Sequence, residues 1–446
     1  NRLHYNDLGN VVASEDEVTE YKADFTYLAD SDVFRKVDFG ILRSEREKFV
    51  FQEFASQCAF CGYGTAAPID ELNIRPFTAN NFFSGLIDTW YTYDGDAYLD
   101  YLASQGAPVI PTLQPNYYNI EEDVTALYAN FEFGYDIGDM PLTMNFGARY
   151  EETSVSVSAV QALIADVVPT TDLTLFSNVF APSENITGSS SYANLLPSLN
   201  VKLEVQEDMI VRFSRYDSLT RPTMSQMSPA TTFNEPRRQN LQASGGNPDL
   251  KPEQSREFEV GLQSQFSRQL SADFSVFTTR LENEISSVWD STSGLSSVAN
   301  ASQDSRRDGF EASLQWVADT WQLTAHYSYL DATSGDGADQ SVELRRPNHT
   351  GSVTYRHSLP VQGLSVYIKA DYTGVRQDIF YPPTSFSGEV LSLDAYWLTS
   401  INVNYDWNQQ WQFGVRVDNA LSEDYEDIIG YRGAQRRFLV HTSYRF

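Results

Sequence analysis

The sequence is poor in the residues that carry most enzymatic and metal chemistry. Its 446 residues include 2 cysteines and 5 histidines, and no two histidines have the His-x-x-x-His spacing of a metal site. A Gly-x-Ser-x-Gly element, the usual setting of a hydrolase nucleophile, is also absent. We therefore predict a protein that is not an enzyme, with no catalytic residue, no bound metal and no cofactor.

Long apolar segments and positive charge are scarce as well. The mean hydropathy is −0.38, and no run of about 18 apolar residues could form a transmembrane helix. Lys and Arg number 31 against 60 Asp and Glu, which gives a formal charge of −29. Such a charge argues against nucleic acid as a partner, because phosphate binding needs positive patches. The chain opens at Asn1 without a signal peptide, as a mature exported protein or an internal fragment would.

Aromatic residues and a period of two are abundant. Tyr and Phe number 26 and 27, a load that suits strands and membrane interfaces. The clearest alternation of apolar and polar residues spans 391–405, and similar runs lie at 127–135, 321–329, 364–372 and 411–417. A period of two predicts β-strands with one apolar face.

The connections between these runs alternate between short and long along the whole chain. The short ones are expected near 30–33, 136–141, 206–208, 267–269, 318–320, 359–363 and 406–410. The long ones are expected near 50–118, 158–190, 219–252, 291–304, 331–343, 377–389 and 424–433. Tight periplasmic turns and long extracellular loops are typical of an outer-membrane β-barrel. The sequence therefore predicts an all-β, antiparallel transmembrane barrel with about 15 strands in this chain.

The position of the short turns predicts the side on which the chain starts. If all short turns are periplasmic, the strand near 17–29 runs inward and residues 1–16 lie outside the cell. Bacterial barrels have an even number of strands and begin in the periplasm. We therefore expect that an odd number of strands precedes Asn1; a 22-stranded barrel would lack about seven strands here.

The last ten residues form a strand of their own that ends on an aromatic residue. Apolar side chains alternate with lumen-facing His441, Ser443 and Arg445. The alternating lipid-facing positions that define this C-terminal signal are Phe438, Val440, Tyr444 and Phe446, with Thr442 between them. A Phe-terminated amphipathic strand resembles the signal that the outer-membrane assembly machinery recognises, so we expect that machinery to be a partner.

Several segments resemble the C-terminal part of the barrel of TonB-dependent receptors. They are Tyr192-Ala193-Asn194-Leu195-Leu196-Pro197-Ser198, Leu219-Thr220-Arg221-Pro222, Gly246-Asn247-Pro248-Asp249-Leu250-Lys251-Pro252, and the closing Val415-Arg416-Val417-Asp418-Asn419-Ala420-Leu421. The likeness covers essentially the whole chain. It implies one domain, residues 1–446, with the plug domain and the N-terminal strands of the family outside this sequence.

The resemblance also implies a function in active transport. Members of the family bind a scarce, large solute at the cell surface and import it with energy from the TonB protein, which contacts the plug and a short N-terminal segment. TonB, outer-membrane lipid and lipopolysaccharide, and a surface lipoprotein are the expected partners, and the bacterial outer membrane is the expected location. A passive porin and a barrel that anchors an enzyme or adhesin are the alternatives.

The loop near 50–118 is the leading candidate for substrate recognition. The candidate binding residues in this loop are aromatic or acidic: Trp90, Tyr91, Tyr93, Asp94, Asp96 and Tyr98. Aromatic faces stack on sugar rings, and carboxylates accept hydrogen bonds from hydroxyl groups. This pattern favours an oligosaccharide over a ferric siderophore as the solute. The alternative is a compact loop packed by its own aromatic residues.

Two further sets of residues in the loops have more than one interpretation. Arg221, Arg237 and Arg238 could bind a carboxylate or phosphate of the substrate, or pair with acidic residues or with lipopolysaccharide phosphates. Cys58 and Cys61 have a Cys-x-x-Cys spacing, but a zinc site would need two more ligands. Because the loop is predicted to be extracellular, we expect these cysteines to form a structural disulfide.

Overall fold

The computed structural model describes most of the chain. The described residues are 2–3, 10–55, 67–68, 75–78, 89–104, 113–161, 164–169, 176–233, 243–290, 295–335, 340–382 and 388–446. Among these residues, no helix combines the length and the hydropathy that a transmembrane helix requires.

Fifteen long strands form one antiparallel sheet, in which each strand pairs with the next in the chain. They are β1 (Asn10–Leu28), β2 (Phe34–Ala55), β3 (Leu113–Ile137), β4 (Met140–Gln161), β5 (Glu184–Gln206), β6 (Met209–Thr220), β7 (Glu253–Gln265), β8 (Leu270–Glu282), β9 (Ser305–Val317), β10 (Trp321–Ser334), β11 (His349–Ser358), β12 (Leu364–Thr373), β13 (Tyr396–Asp406), β14 (Trp411–Asp418) and β15 (Arg437–Tyr444). The predicted antiparallel fold and its strand number are confirmed. Within the described residues, β1 and β15 each pair with one neighbour and form the two edges of the sheet.

The connections alternate as the sequence predicts. Every second connection is a tight turn, such as Gly138-Asp139 between β3 and β4, where Gly138 adopts a φ of 65°. A positive φ at this position suits a two-residue hairpin turn, and glycine adopts it without steric cost. The other connections are long. They join the strands at the ends opposite to the tight turns.

The long connections contain short elements. The short strands are Arg2–Leu3, Ala67–Pro68, Arg75–Thr78, Thr89–Thr92, Ile164–Pro169, Phe176–Phe180, Thr231–Phe233, Ala243–Gly245, Ile285–Asp290, Leu295–Asn300, Ser341–Val342, Arg376–Phe380, Glu389–Leu393, Glu426–Ile428 and Tyr431–Arg432. The helices are α1 (Gly95–Ser104) and α2 (Met224–Met227). Four of these strands, from the loops after β6 and β8, join in a separate small sheet.

An apolar belt covers one face of the main sheet, which we call the outward face. On β8 the belt consists of Leu270, Ala272, Phe274 and Val276, and Ala272 and Phe274 pair directly with Leu314 and Ala312 of β9. The aromatic side chains of the C-terminal strand, Phe438 and Tyr444, share this face and pair with Val417 and Trp411. The opposite, inward face carries polar residues. This arrangement is that of a wall between lipid and a wet interior.

Aromatic side chains border the belt above and below. Near the periplasmic turns, Trp316 and Trp321 lie 5.3 Å apart between ring centroids, and Trp411 and Tyr444 lie 4.8 Å apart. Near the loop edge, the rings of Tyr372 and Trp397 are 4.9 Å apart. Such rings favour the two membrane–water interfaces, so they mark the edges of the membrane on this sheet.

Two of the expected loops are shorter than the sequence analysis places them. Strands β2 and β3 remain paired as far as Ala55 and Leu113, and β4 and β5 as far as Gln161 and Glu184. The loops therefore span 56–112 and 162–183 rather than 50–118 and 158–190. The reason is that these strands rise above the belt, where the alternation is reversed and no longer has an apolar outward face.

The run at 391–405 is a further correction, because it forms two strands instead of one. The strand Glu389–Leu393 pairs with Arg376–Phe380 in an extracellular hairpin, and β13 begins at Tyr396. Asp394 and Ala395 separate the two. The alternating pattern continues across this break, since a period of two does not record which neighbour a strand pairs with.

The belt generates a testable prediction. Ala312→Arg places a charge at the middle of the belt on β9, which should lower the free energy of unfolding by about 2–4 kcal/mol. Gln315→Arg on the inward face of the same strand is the control and should change it by less than about 0.5 kcal/mol. Reversible urea unfolding in lipid vesicles measures both. Equal losses for the two variants would contradict the assignment of the faces.

Candidate ligand-binding surface

The predicted aromatic and acidic residues lie in a hairpin followed by a helix. Arg75–Thr78 pairs with Thr89–Thr92, and α1 begins three residues later. Tyr91 is 74% exposed and Tyr93 is 42% exposed, so both side chains lie at the surface. The Asp94 carboxylate accepts hydrogen bonds from the backbone N–H groups of Asp96 and Ala97, at 3.1 and 3.2 Å. It therefore caps the N-terminus of α1.

The other predicted residues lie in the same elements or outside the described part of the chain. The backbone of Trp90 lies in the hairpin and that of Tyr98 in α1. Cys58, Cys61, Arg237 and Arg238 lie outside the described residues, so the disulfide and the two arginine roles stay predictions.

Arg221 begins a segment that turns from the end of β6 onto the inward face of the sheet. Its guanidinium donates to Glu151 Oε1, and Arg149 donates to Glu151 Oε2 at 2.8 Å. Glu151 is only 3% exposed, and Glu122 lies buried on the neighbouring strand. A carboxylate shared by two guanidinium groups can remain charged while buried. Arg221 thus anchors its own segment to the wall.

Helix α2 covers the inward face next to this ion pair. Thr223 and Gln226 form a reciprocal capping box at its N-terminus, which satisfies backbone donors that a short helix leaves open. The helix then presents its apolar side chains to the wall. The residues of this buried cluster are Ile120, Val155, Val157, Met224 and Met227. The contact places residues 221–233 inside the extracellular mouth.

A cavity of about 290 Å³ lies beside α2. Its lining includes Tyr118, Gln226, Ser228, Ser244 and Gly246. A Cβ at Gly246 would overlap the carbonyl oxygens of Gln226 and Ser228, so glycine permits this close approach. The lining is neutral and rich in hydroxyl and backbone groups, which can donate and accept hydrogen bonds.

Three buried polar atoms of the inward wall and of the segment that covers it have no hydrogen-bond partner among the described residues. Arg221 Nε, Thr153 Oγ1 and Asn194 Nδ2 make no hydrogen bond within the described part of the chain. Buried polar groups are normally satisfied, by water or by a ligand where protein atoms do not suffice. The inward wall of the mouth therefore has spare hydrogen-bonding capacity.

A second polar network joins three extracellular loops, and we call it the clasp. It consists of Arg345, Asp378 and the backbone at Ile429. Asp378 is fully buried; its Oδ1 accepts from Arg345 Nε at 2.7 Å, and its Oδ2 accepts from the Ile429 N–H at 2.9 Å. One carboxylate thus holds the loops 335–348, 374–395 and 419–436 together.

Arg376 extends the contacts between these loops. It is 5% exposed, and its guanidinium lies 5.4 Å from the ring centroid of Tyr396. It donates to the carbonyl oxygen of Glu426 and lies 3.5 Å from Asp427, which also accepts the Tyr396 hydroxyl. A cavity of about 350 Å³ adjoins this network, with Asp394, Asp424, Glu426 and Arg432 in its lining. Its lining is more acidic than basic.

Asn419 fixes the start of the last loop. It follows β14 with a φ of 47°, a conformation that asparagine adopts more readily than most residues. Its side-chain amide donates to the carbonyl oxygens of Glu423 and Ala434 and accepts from the Glu423 N–H. Asn419 thereby fixes the turn from β14 into the last loop.

Comparison with known proteins agrees with this architecture. The family model described as TonB dependent receptor-like, beta-barrel, matches residues 4–420. The chain belongs to the TonB-dependent receptor family. It is accordingly a protein of the bacterial outer membrane, as predicted.

Two curated relatives are named as a transporter and as a receptor. The vitamin B12 transporter BtuB of Vibrio vulnificus is 27% identical over 208 residues, 46% of this chain and 32% of that protein. The ferric-pyoverdine BN7/BN8 receptor of Pseudomonas putida is 24% identical over 206 residues, 45% of this chain and 24% of that protein. The match thus spans a third or less of each relative's length.

Solved structures of family members share the fold. The ferric-catecholate import receptor Fiu of E. coli K12 in its closed form superposes with a TM-score of 0.58 at 17% identity, over 98% of this chain and 55% of that one. The ferric yersiniabactin uptake receptor FyuA of Yersinia pestis gives 0.54 at 12% identity, over 97% and 54%. The chain therefore shares the fold of the matching parts of those structures.

Pairing of arginines with acidic residues was one of the interpretations of the sequence, but neither Glu151 as the partner of Arg221 nor Asp378 as the centre of the clasp was predicted. A clue to the first was present: Glu151, Thr153, Val155 and Val157 occupy alternate positions that turn out to face inward. The clasp had no such clue, since its three loops come together only through the order of the strands.

Glu151 provides a test of the anchored segment. Glu151→Gln keeps the size of the side chain but removes the carboxylate charge that two guanidinium groups share, and should destabilise the packing of residues 221–233 by about 2–3 kcal/mol. Hydrogen exchange at the Met227 amide should accelerate accordingly. Glu152→Gln, on the exposed outward face, is the matched control. Equal exchange in the two variants would show that Arg221 is not an anchor.

The clasp generates a prediction on pH. Burial raises the pKa of Asp378, but hydrogen bonds from Ile429, Arg345 and Ile379 outweigh burial and hold this pKa below its usual range. Because the pKa is lowered on folding, the carboxylate stabilises the clasp above the ordinary aspartate pKa of about 3.9, and this contribution is lost as pH falls through the lower folded value. Hydrogen-exchange protection at Ile429, corrected for intrinsic rates, should be the same at pH 7 and pH 5.

Asp378→Asn should remove this protection at each pH, because one acceptor oxygen becomes a donor. Glu389→Gln in the paired strand is the control and should leave it intact. A loss of protection in the unaltered protein between pH 7 and pH 5 would contradict the lowered pKa.

Proposed function

We propose that the protein is a receptor that binds a bulky metal chelate outside the cell and delivers it to the periplasm with energy coupled through TonB. The observation that carries this proposal is the match of residues 4–420 to the family. Its two sequence relatives reported above are named for vitamin B12 and for ferric pyoverdine. Both names refer to a metal bound in an organic chelate, and this is the solute class that we propose.

The extracellular geometry supports a large ligand. The cavity beside α2 and the cavity beside the clasp are separate depressions of about 290 and 350 Å³, and loop residues form most of each lining. The exposed rings of Tyr91 and Tyr93 add a third contact region. A ligand that touches more than one of these regions gains affinity from contacts that no single depression provides.

The charge of the protein narrows the chelate class. The formal charge is −29, and the cavity beside the clasp carries Asp394, Asp424 and Glu426 against Arg432. A negative surface repels anions and attracts cations during diffusional encounter. We therefore propose a neutral or cationic chelate rather than a strongly anionic one.

An oligosaccharide is the second candidate, carried by the exposed Tyr91 and Tyr93. The relatives reported above give it no support, and Asp94, expected to accept sugar hydroxyl groups, instead caps α1. The passive porin and the barrel-anchored enzyme or adhesin have no counterpart among those relatives, which are transporters and receptors. The surface lipoprotein remains a prediction from the family resemblance alone.

Binding to the full-length receptor tests the solute class. Titration calorimetry with vitamin B12, a neutral ferric siderophore, an anionic ferric siderophore and a mixture of oligosaccharides should show saturable, submicromolar binding for one of the first two. Tyr91→Ala should weaken that binding by about 2- to 10-fold if the ring stacks on the ligand, since aromatic contacts contribute about 0.5–1.5 kcal/mol. Tyr21→Ala, an exposed tyrosine on the edge strand β1, is the control. Binding of oligosaccharides alone would refute the chelate proposal.

Uptake by intact cells tests the energy coupling. Accumulation of the labelled chelate should stop when TonB is deleted or the proton gradient is collapsed. Accumulation that continues under those conditions would favour passive diffusion and contradict the proposed mechanism.

A further inference from the structure

The cavity beside α2 has an uncharged lining. None of the described residues that line it is an aspartate, a glutamate, a lysine, an arginine or a histidine. A charged group that enters such a cavity gives up water and meets no counter-charge, which is unfavourable. An uncharged polar group loses less on leaving water, provided that it finds hydrogen-bond partners. The lining therefore suits an uncharged occupant.

Hydrogen bonds between separate loops fix the walls of this cavity. The Asn247 N–H donates to the Gln226 carbonyl oxygen at 2.7 Å, and the side-chain amide of Asn247 donates to the Val298 carbonyl oxygen at 3.2 Å. The short strands Thr231–Phe233 and Ala243–Gly245 pair with each other. Because these contacts hold the loops in place, a ligand does not have to order them, and preorganised sites bind more tightly for this reason.

Side-chain donors of the lining are left without an acceptor. Within the described part of the chain, the hydroxyl groups of Tyr118 and Ser244 make no hydrogen bond, and neither does the Nε2 group of Gln226. Ser228 Oγ accepts from the Ala230 N–H at 3.3 Å, which leaves its own proton for another acceptor. The lining can therefore donate hydrogen bonds to an oxygen atom of a ligand.

The volume of the cavity admits only part of a large solute. One water molecule takes up about 30 Å³ in the liquid, so a cavity of about 290 Å³ holds the equivalent of roughly ten waters. Sites that enclose a whole drug-sized ligand have volumes of about 300–1,000 Å³. A bulky chelate therefore cannot enter as a whole, whereas one of its substituents can.

We infer that the cavity beside α2 binds one uncharged arm of the solute that carries an acceptor oxygen, such as a carboxamide or a hydroxyl group, while the metal centre stays outside. The absence of charge among the described lining residues disfavours a charged arm, and the unpaired donors favour an oxygen acceptor. The assignment to an arm of the solute rests on the proposed function. The preference of the cavity for an uncharged group does not.

Two small probes test this preference without the chelate. N-acetylglycinamide and N-acetylglycinate have nearly the same shape and differ by one negative charge. Binding to the full-length receptor in detergent micelles is followed by the ¹³C-methyl resonance of Met227, which lies between the lining residues Gln226 and Ser228. N-acetylglycinamide should shift this resonance saturably, and N-acetylglycinate should bind at least about 10-fold more weakly. Equal binding, tighter binding of the carboxylate or no shift with either probe overturns the inference.

Two variants separate recognition from a structural role of the lining. Tyr118→Phe keeps the ring and should weaken the binding of N-acetylglycinamide by about 2- to 10-fold, the contribution of one neutral hydrogen bond. Ser244→Lys adds a cation to the exposed part of the lining and should reverse the preference in favour of N-acetylglycinate. Tyr21→Phe on β1 and Ser189→Lys on the outward face of β5 are the matched controls. An unreversed preference in Ser244→Lys contradicts the inference.

Filling the cavity tests the link to the solute. Ser244→Trp should weaken the binding of vitamin B12 or of the neutral ferric siderophore, whichever the receptor binds, by more than about 10-fold, because the arm loses several hydrogen bonds at once. Ser189→Trp is the control. Unchanged affinity in Ser244→Trp overturns the inference and leaves the proposed function intact. If N-acetylglycinamide binds as expected but no chelate does, the proposed function fails, and the assignment to an arm of a chelate fails with it.

Discussion

The pairing of every backbone group is the constraint on which this structure depends. Lipid offers no hydrogen-bond partner, so a chain can cross it as strands only if each strand is paired on both sides. The strands β1 to β15 pair in chain order, and tight turns alternate with long loops between them. This order fixes the side on which all long loops emerge. The strand order therefore brings the cavities, α2 and the clasp together at the extracellular ends of the strands.

Much of the sheet could be predicted because its determinants are local. A belt residue at every second position and a turn residue such as Gly138 are visible in the sequence itself. The upper parts of the strands could not be predicted in the same way. Above the belt the outward face of β3 and β4 becomes polar, with Glu121, Asp123 and Ser156, while Ile120 and Val155 turn inward against α2. The period of two persists there, but its polarity is reversed, because water has replaced lipid outside and packed protein has replaced water inside.

The contacts of the candidate site are a separate matter, since they join residues that are distant in the chain. Arg221 and Glu151 are 70 residues apart, and Asp378 and Ile429 are 51 apart. Neither pair follows from a local pattern; each requires the strand order and the register together. The aromatic and acidic residues near Tyr91 show that local composition alone also does not define a binding site. Their composition suits a sugar, yet Asp94 serves the first turn of α1, and a side chain that satisfies the backbone is less available to a ligand.

Arginine illustrates how position decides the role of one residue type in this protein. Arg221 and Arg376 lie at the extracellular edge among protein acceptors, and Glu151 and Glu426 engage them; there arginine joins segments. Arg256, Arg280 and Arg306 have the same chemistry and also have acidic neighbours, but they stand on the outward face at the upper border of the belt. There Asp217, Asp304 and Asp308 pair with them. Because the register decides which residues of neighbouring strands are opposed, the sheet that pairs the backbone also places these three guanidinium groups side by side.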